Sequence, residues 1–438
     1  MKKILATTAI ILIVFAAKAQ NTYSLKSCLE IGLENNYSIL ISKNEEEKNK
    51  NNATKANAGY LPTLDFSGRY SGNINSTQST VRETNNVEKN SGVFDNTFNL
   101  GLSLNWTIFD GFNINTNYKR LKELEAIGEI NTRITIEDFV AALTAEYYNF
   151  VQQKIRMKNF RYAVSLSKER LRIVEARYSI GNMSRLDLQQ ALVDFNADSS
   201  QYVKQRELLN TSRIRLNELM AIENVNQIIE TIDSLINVDE LLDFSSLWEN
   251  TQQVNVALLK SEHNITLAQL NLKTVQSRNY PYLRFSSGYG YTLNKYGISA
   301  YKQRQNFGLD FGLTFGINIF DGTRRSQQKN AKIEIENARL LRQQLQQSLY
   351  ADITNLWQAY ENNLKMLKLE RENIVTAHQN HEIAMERYML GDLSGIEMRE
   401  TQKKLLDAEE RILTAQYNTK LCEISLLQIS GKITRYFE

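Results

Sequence analysis

The chain has 438 residues, 42% of them hydrophobic and 23% charged, with 19 Gly, two Pro and two Cys. Length alone suggests about three domains, but two prolines leave almost nothing to punctuate them, so long helices fit better. Removing Lys2, Lys3 and Lys18, which lie in a leader, from the 52 Lys plus Arg leaves 49 against 49 Asp plus Glu. A formally neutral remainder lacks the basic footprint of a nucleic-acid binder.

Residues 1–19 read as a signal peptide: Lys2 and Lys3, an apolar run from Ile4 to Ala17, then Ala17-Lys18-Ala19 as a small-x-small cleavage site. That run is too short for a helix spanning a bilayer, which needs about 20 residues, and no later stretch is apolar enough. Any membrane crossing must therefore use strands. Cys28 and Cys422 are too few for a disulfide framework and read as small core residues.

The second half echoes the first at an offset near 210 to 219. Pro62, Leu64 and Phe66 match Pro281, Leu283 and Phe285. Ile108-Phe109-Asp110-Gly111 recurs as Ile319-Phe320-Asp321-Gly322, and Arg177-Tyr178-x-x-Gly181-x-x-Ser184 as Arg387-Tyr388-x-x-Gly391-x-x-Ser394. Landmarks in one order indicate duplication, with a first repeat over 20–230 and a second over 231–438. Each repeat holds two segments of period-2 alternation, giving strands at about 62–74, 97–109, 282–293 and 307–320. In the second of these, Phe98, Leu100, Leu102, Leu104, Trp106 and Ile108 alternate with small or polar residues. Phe307 through Ile319 do the same around Gly308, Gly312 and Gly316. Such strands suit one face in hydrocarbon and one in water. Each is long enough for the 9 to 11 residues of a transmembrane strand. Four strands cannot close a barrel, whose smallest bacterial form needs about eight, whereas three copies would supply twelve. The polar connections Asn75 to Asn96 and Asn294 to Asn306 read as exposed loops.

After Asp110-Gly111 and Asp321-Gly322, where strand is expected to turn to helix with the aspartates as N-caps, come helices of about 65 residues, about 100 Å long. They end near Tyr178 and Tyr388. Returning helices begin near Ser184 and Ser394 and carry heptads: Leu188, Phe195, Tyr202, Leu209 and Leu216 in one, Met398, Leu405, Ile412, Thr419 and Leu426 in the other. Shorter helices, 24–57 and 246–278, precede the strands, and 223–243 reads as a polar stretch between repeats.

In order and spacing these landmarks resemble the TolC family of outer-membrane channels, the exit ducts of efflux pumps and type I secretion systems. The resemblance runs from about Tyr23 to Gly431. It implies an α+β membrane protein with an internal two-fold repeat: a homotrimer whose twelve-stranded outer-membrane β-barrel, four strands per chain, continues as a twelve-helix periplasmic coiled-coil α-barrel. It implies a periplasmic adaptor (membrane fusion) protein at the tip turns, Gly181, Asn182, Met183, Ser184 and Gly391, Asp392, Leu393, Ser394, and through it an inner-membrane pump. It further implies an acidic ring at the periplasmic entrance from Glu397 and Glu400, and a gate in which Asp187 pairs with Tyr388. The basic residue that helps lock this tip in well-known members is replaced by Leu393. Cargo is left open among drugs, metal ions and proteins.

No catalytic constellation competes. There are three histidines, no Walker loop and no Gly-x-Ser-x-Gly elbow. His378-x-x-His381 puts two imidazoles on one helix face without a third ligand. No enzyme activity, metal, cofactor or nucleic-acid partner is expected; outer-membrane lipid is. The alternative is a secreted coiled-coil scaffold or periplasmic adaptor without a channel, which has no use for four amphipathic strands.

Overall fold

The computed structural model describes residues 22–80 and 82–437, so the expected signal peptide lies outside the described residues. The chain divides into two compact units. One comprises the described residues up to Glu45, Ile130–Lys260 and those from Arg342; the other is Glu46–Glu129 with Ser261–Leu341. Each unit therefore draws on both sequence repeats.

In chain order the elements are β1 (Thr22–Tyr23), α1 (Leu25–Asn35), α2 (Tyr37–Asn52), α3 (Lys55–Ala58), β2 (Thr63–Thr80), β3 (Val87–Asp110), α4 (Asn113–Ser179) and α5 (Arg185–Leu219). The second half adds β4 (Glu230–Thr231), α6 (Phe244–Val254), α7 (Val256–Ser277), β5 (Tyr282–Lys295), β6 (Gln303–Gly316), α8 (Arg324–Leu390), α9 (Gly395–Ile429) and a 3-10 turn at Ile433–Tyr436. The expected continuous helices 24–57 and 246–278 are each broken. Asn36 and Asn255 leave the helical region, with ψ of 123° and 122°. Their Oδ1 atoms then accept the N–H groups of Ser38 and Ala257, each at 3.0 Å, and so cap the following helix.

In the first unit the core is built on Leu29, Val140, Leu143, Tyr147, Leu216, Met220 and Leu427. The segment 223–243 is less polar in use than in composition: Ile229 and Ile236 are buried in that core, and β4 pairs in parallel with β1. Cys28 and Cys422 are both buried and free, and burial pushes the Cys28 thiol up to about 12. A buried polar cluster holds the C-terminal turn. Lys420 Nζ lies 2.7 Å from Glu423 Oε1 and beneath the rings of Tyr148 and Tyr436, at 4.9 and 5.2 Å. The Tyr436 hydroxyl also donates to Glu423 Oε1, and the Asp239 N–H to Oε2, so this buried carboxylate is fully partnered.

The returning helices differ in which heptad line they bury. In α9, Met398, Leu405, Thr419 and Leu426 are buried. In α5 the buried line is Ala191, Asp198, Gln205 and Ser212, three positions on from the expected Leu188 series, of which Leu216 alone is buried. The polar members can sit there because each is bonded: Gln205 to Gln153 at 2.8 Å, Ser212 to Glu146, and Asp198 to Arg399.

The second unit carries an antiparallel sheet in the order β2-β3-β5-β6. Its register stacks like with like. Phe66, Leu102, Tyr289 and Leu309 form one apolar row, and Ser67, Gly101, Gly290 and Gly308 the adjacent row on the other face. Three expected boundaries are corrected. Most of Asn75 to Asn96 is strand, because β2 and β3 stay paired past a bulge at Ser76 as far as Thr80 opposite Val87, and the connection is confined to the residues between those two. Beyond the bulge the pairing runs from Thr77 opposite Asn90 to Thr80 opposite Val87, so backbone bonds extend the strands where the side chains are mostly polar. Likewise Asn294 and Lys295 end β5, and β6 begins at Gln303. Conversely, Ile317–Phe320 is not strand: β5 begins after Pro281, which has no N–H to offer, and the ladder stops at Tyr282 opposite Gly316.

A Cβ at Gly290 would sit 2.8 Å from the Leu100 carbonyl oxygen, whereas one at Gly308 would meet nothing within 4 Å. Gly290→Val should therefore destabilise the sheet by about 2 kcal/mol and reduce the yield of folded protein in detergent relative to the parent. Equal yields by circular dichroism and heat-modifiable gel mobility would reject the register.

Candidate functional site: the two helical tip turns

Both repeats turn from long to returning helix by the same bonds. The Gly181 N–H donates to the Tyr178 carbonyl (3.0 Å) and the Asn182 N–H to Arg177 (2.9 Å); Gly391 and Asp392 repeat this with Tyr388 (3.2 Å) and Arg387 (2.9 Å). This is a Schellman closure, and it needs the left-handed backbone that glycine supplies, φ +78° at Gly181 and +91° at Gly391. Ser184 and Ser394 then cap α5 and α9. The Asp187 N–H donates to Ser184 Oγ at 3.2 Å while Asp187 Oδ2 accepts the Ser184 N–H at 3.1 Å; Glu397 and Ser394 do the same at 3.3 and 3.1 Å. Asp187 and Glu397, assigned to gate and ring by resemblance, thus occupy equivalent positions and do one local job. The cap bonds from Ser394 hold the Glu397 carboxyl below its ordinary range. Glu400 is exposed, 3.8 Å from Lys404. Asn182, Met183, Asp392 and Leu393 line the turns between Gly and Ser, and Leu393 packs against buried Tyr388 and Met398.

The expected bond between Asp187 and Tyr388 is absent. Asp187 Oδ2 is engaged by Ser184, and the Tyr388 hydroxyl is buried without a hydrogen-bond partner. The two residues instead line one small cavity of about 40 Å³ with Arg170, Gln190 and Asp194. Burial pushes the Tyr388 phenol up, against the pull of the Arg177 and Arg170 charges. Arg177 lies over the Tyr388 ring, 5.6 Å from its centre. The equivalent Tyr178 is 41% exposed, against 1% for Tyr388.

Beside the cavity stands an ion cluster that sequence reasoning missed. Arg399 of α9 makes a bidentate pair with Asp198 of α5, both bonds 2.7 Å. Arg170 of α4 bonds Asp194 at 2.7 Å and Gln402 of α9 at 3.4 Å. Arg170, Asp198 and Gln402 are buried, so the cluster joins helices of both repeats in a region of low dielectric. The available signal was an aspartate on the Ala191-Asp198-Gln205-Ser212 line, once that line is known to face inward. His381 is likewise no surface residue: it follows Ile353, Tyr360 and Leu367 at multiples of seven and is buried. Its imidazole is held below the usual histidine range, first by burial and then by His378. Among the described residues no group of three His, Cys, Asp or Glu side chains converges as a metal site would.

At the strand–helix corners, Asp110 Oδ1 accepts the Ile114 N–H (3.0 Å) and Asp321 Oδ1 that of Thr323 (2.9 Å). Gly111, at φ +70°, is packed so closely that a Cβ would fall 2.2 Å from the Ser277 carbonyl; Gly322 has no such constraint.

Arg399→Gln strands the buried Asp198 charge and should cost about 3 to 5 kcal/mol in denaturant unfolding of the full chain. Adding Asp198→Asn should recover more than half; strictly additive losses would argue against a coupled pair. His381, whose folded value is depressed, supports stability above the ordinary histidine pKa of about 6.5 and withdraws that support as pH falls. His381→Leu should therefore flatten the decline in melting temperature between about pH 7 and 5.

A family model described as outer membrane efflux protein matches residues 29–221 and 247–432. Outer membrane protein TolC of Vibrio cholerae is 23% identical over 220 residues, covering 49% of this chain and 46% of that protein, so the match spans about half of the relative's length. Among solved structures, a membrane protein from Pseudomonas aeruginosa superposes with a TM-score of 0.75 at 15% identity, covering 94% of each chain. The CmeC outer membrane channel of Campylobacter jejuni also gives 0.75, at 16% identity, over 93% of this chain and 85% of its own. Fold, tip turns and family match agree: the chain belongs to the outer membrane efflux protein family.

Proposed function

We infer that three copies of this chain form a duct through the outer membrane, the exit of a tripartite efflux or type I secretion system. The observation that carries this reading is the sheet. Its apolar face is uncovered, with Phe66 70% and Phe311 78% exposed, and the outer edges of β2 and β6 have no strand paired to them among the described residues. In lipid an apolar face needs no cover, but open edges do need pairing, and further copies of the same edges would supply it. Three copies give a twelve-stranded barrel, within the range of outer-membrane proteins. Among the described residues no helix is long and apolar enough to span a membrane.

In this reading the tip turns face the periplasm and meet a periplasmic adaptor that bridges to an inner-membrane pump. Conduction is passive, so the chain needs no catalytic group. Glu400, and Glu397 from its cap, would repeat threefold as an acidic ring at the entrance, where crowded carboxylates favour cations. Opening there must displace α5 relative to α9, against the Asp198–Arg399 pair.

Detergent-extracted outer-membrane fractions should contain a heat-modifiable species near three times the mass of the chain without its leader; a water-soluble monomer in the periplasmic fraction would overturn the duct. In planar bilayers, Glu397→Gln with Glu400→Gln should reduce cation preference by roughly threefold. Unchanged selectivity would remove the ring while leaving the duct intact.

A further inference from the structure

Helices α4, α8 and α9 enclose a second cavity, of about 260 Å³, which shares only Arg170 and Tyr388 with the smaller one beside Asp187. Its apolar wall is Leu166 and Ile173 from α4, Met385, Tyr388 and Met389 from α8, and Met398 from α9. Met385 and Met389 stand one turn apart, so both thioethers fall on one face of α8. Met398 reaches in from beyond the turn and is 2% exposed, whereas Met389 is 57% exposed and lies at the opening. Three of the chain's eight methionines therefore meet here. Unbranched and polarisable, such side chains adapt to a guest and favour contact with an aromatic ring. A dry cavity of about 150 Å³ lined by aliphatic and aromatic side chains already admits benzene, so this one has room for a ring and a substituent.

The charges that line this cavity are already matched. Arg170 bonds Asp194 at 2.7 Å, and Glu169 takes a bidentate pair from Arg172 at 2.6 and 2.9 Å. A charged guest would find no counter-ion to spare. Three thioethers also suit a soft cation, but the Arg170 guanidinium on the same wall repels one. Two buried polar groups, by contrast, are short of partners. The Tyr388 hydroxyl has no hydrogen bond, and the Gln402 amide is held by Arg170 and the Ala163 carbonyl at 3.4 Å each.

We propose that this cavity is a binding site for a small uncharged aromatic molecule: one ring seated among the three thioethers, with a single hydrogen-bonding group turned to Tyr388 and Gln402. Matched charges exclude an ionic guest, the methionines favour a ring, and the under-satisfied hydroxyl and amide call for one polar group. A guest there touches α4 and both helices of the second tip hairpin, and so braces the first repeat against the second. All the lining residues belong to one compact unit of one chain, so the site stands independently of the duct.

Full-length protein in detergent, labelled with carbon-13 at its methionine methyl groups and assigned through single Met→Leu variants, is titrated with phenol. The ring should shift the Met385, Met389 and Met398 resonances saturably and leave Met157 and Met366 in place. Benzoate, the same ring with a charge, and silver(I) should move none of them. In Tyr388→Phe the phenol midpoint should rise about fivefold, as loss of one hydrogen bond implies. No shift at the three methionines overturns the site, and so does an equal shift at Met157 and Met366, which is what partition into detergent and surface would give. Saturable shifts with benzoate overturn the uncharged guest. Shifts with silver(I) but not phenol make this a soft-cation site and overturn the aromatic one. An unchanged midpoint in Tyr388→Phe overturns the polar contact.

Discussion

A backbone N–H or C=O left unpaired in hydrocarbon costs several kcal/mol, and that cost governs what this sheet can be. Within one chain β3 and β5 are bonded on both sides, and β2 and β6 on one. Water could satisfy the open edges, but the aromatic face that accompanies them is unsuited to water. Pairing edge to edge with further copies meets both demands. Assembly is then a condition of the fold, and the small row of Ser67, Gly101, Gly290 and Gly308 leaves room along the opposite face.

The helical tip obeys a different constraint. Duplication has supplied two turns that are nearly identical bond for bond: a left-handed glycine, a Schellman closure and a reciprocal serine–carboxylate cap. Local chemistry therefore cannot distinguish them. What distinguishes them is packing, which buries Tyr388 under Arg177 while leaving Tyr178 in water, and which places Asp194 and Asp198 against Arg170 and Arg399. Where members with a basic residue at the turn have a cation, this chain has Leu393 packed on an apolar cluster, and its tip cations lie on α4 and α9 instead.

Much was legible without coordinates because it is written in short-range periodicity. Alternation at period two marks the strands whichever way they pair, and Gly181, Ser184, Gly391 and Ser394 mark helix ends because few residues tolerate that backbone or bond those N–H groups. Errors arose where composition was taken for structure. The Asn-rich span 75–96 is paired strand as far as Thr80 and again from Val87, and the polar span 223–243 contributes Ile229 and Ile236 to a core. Asn36 and Asn255 break helices that hydropathy would run straight through, since a capping side chain leaves no trace in an apolar pattern.

The amino-acid order by itself determined the duplication, the strand and helix inventory and the membrane-facing alternation, because each depends on residues a few positions apart. Tertiary structure alone decided which of two equivalent tyrosines is buried and which heptad line of α5 turns inward. Those outcomes depend on neighbours far along the chain, 52 positions between Gln205 and Gln153 and 201 between Asp198 and Arg399, and the free energy of a buried charge is set by the partner that reaches it.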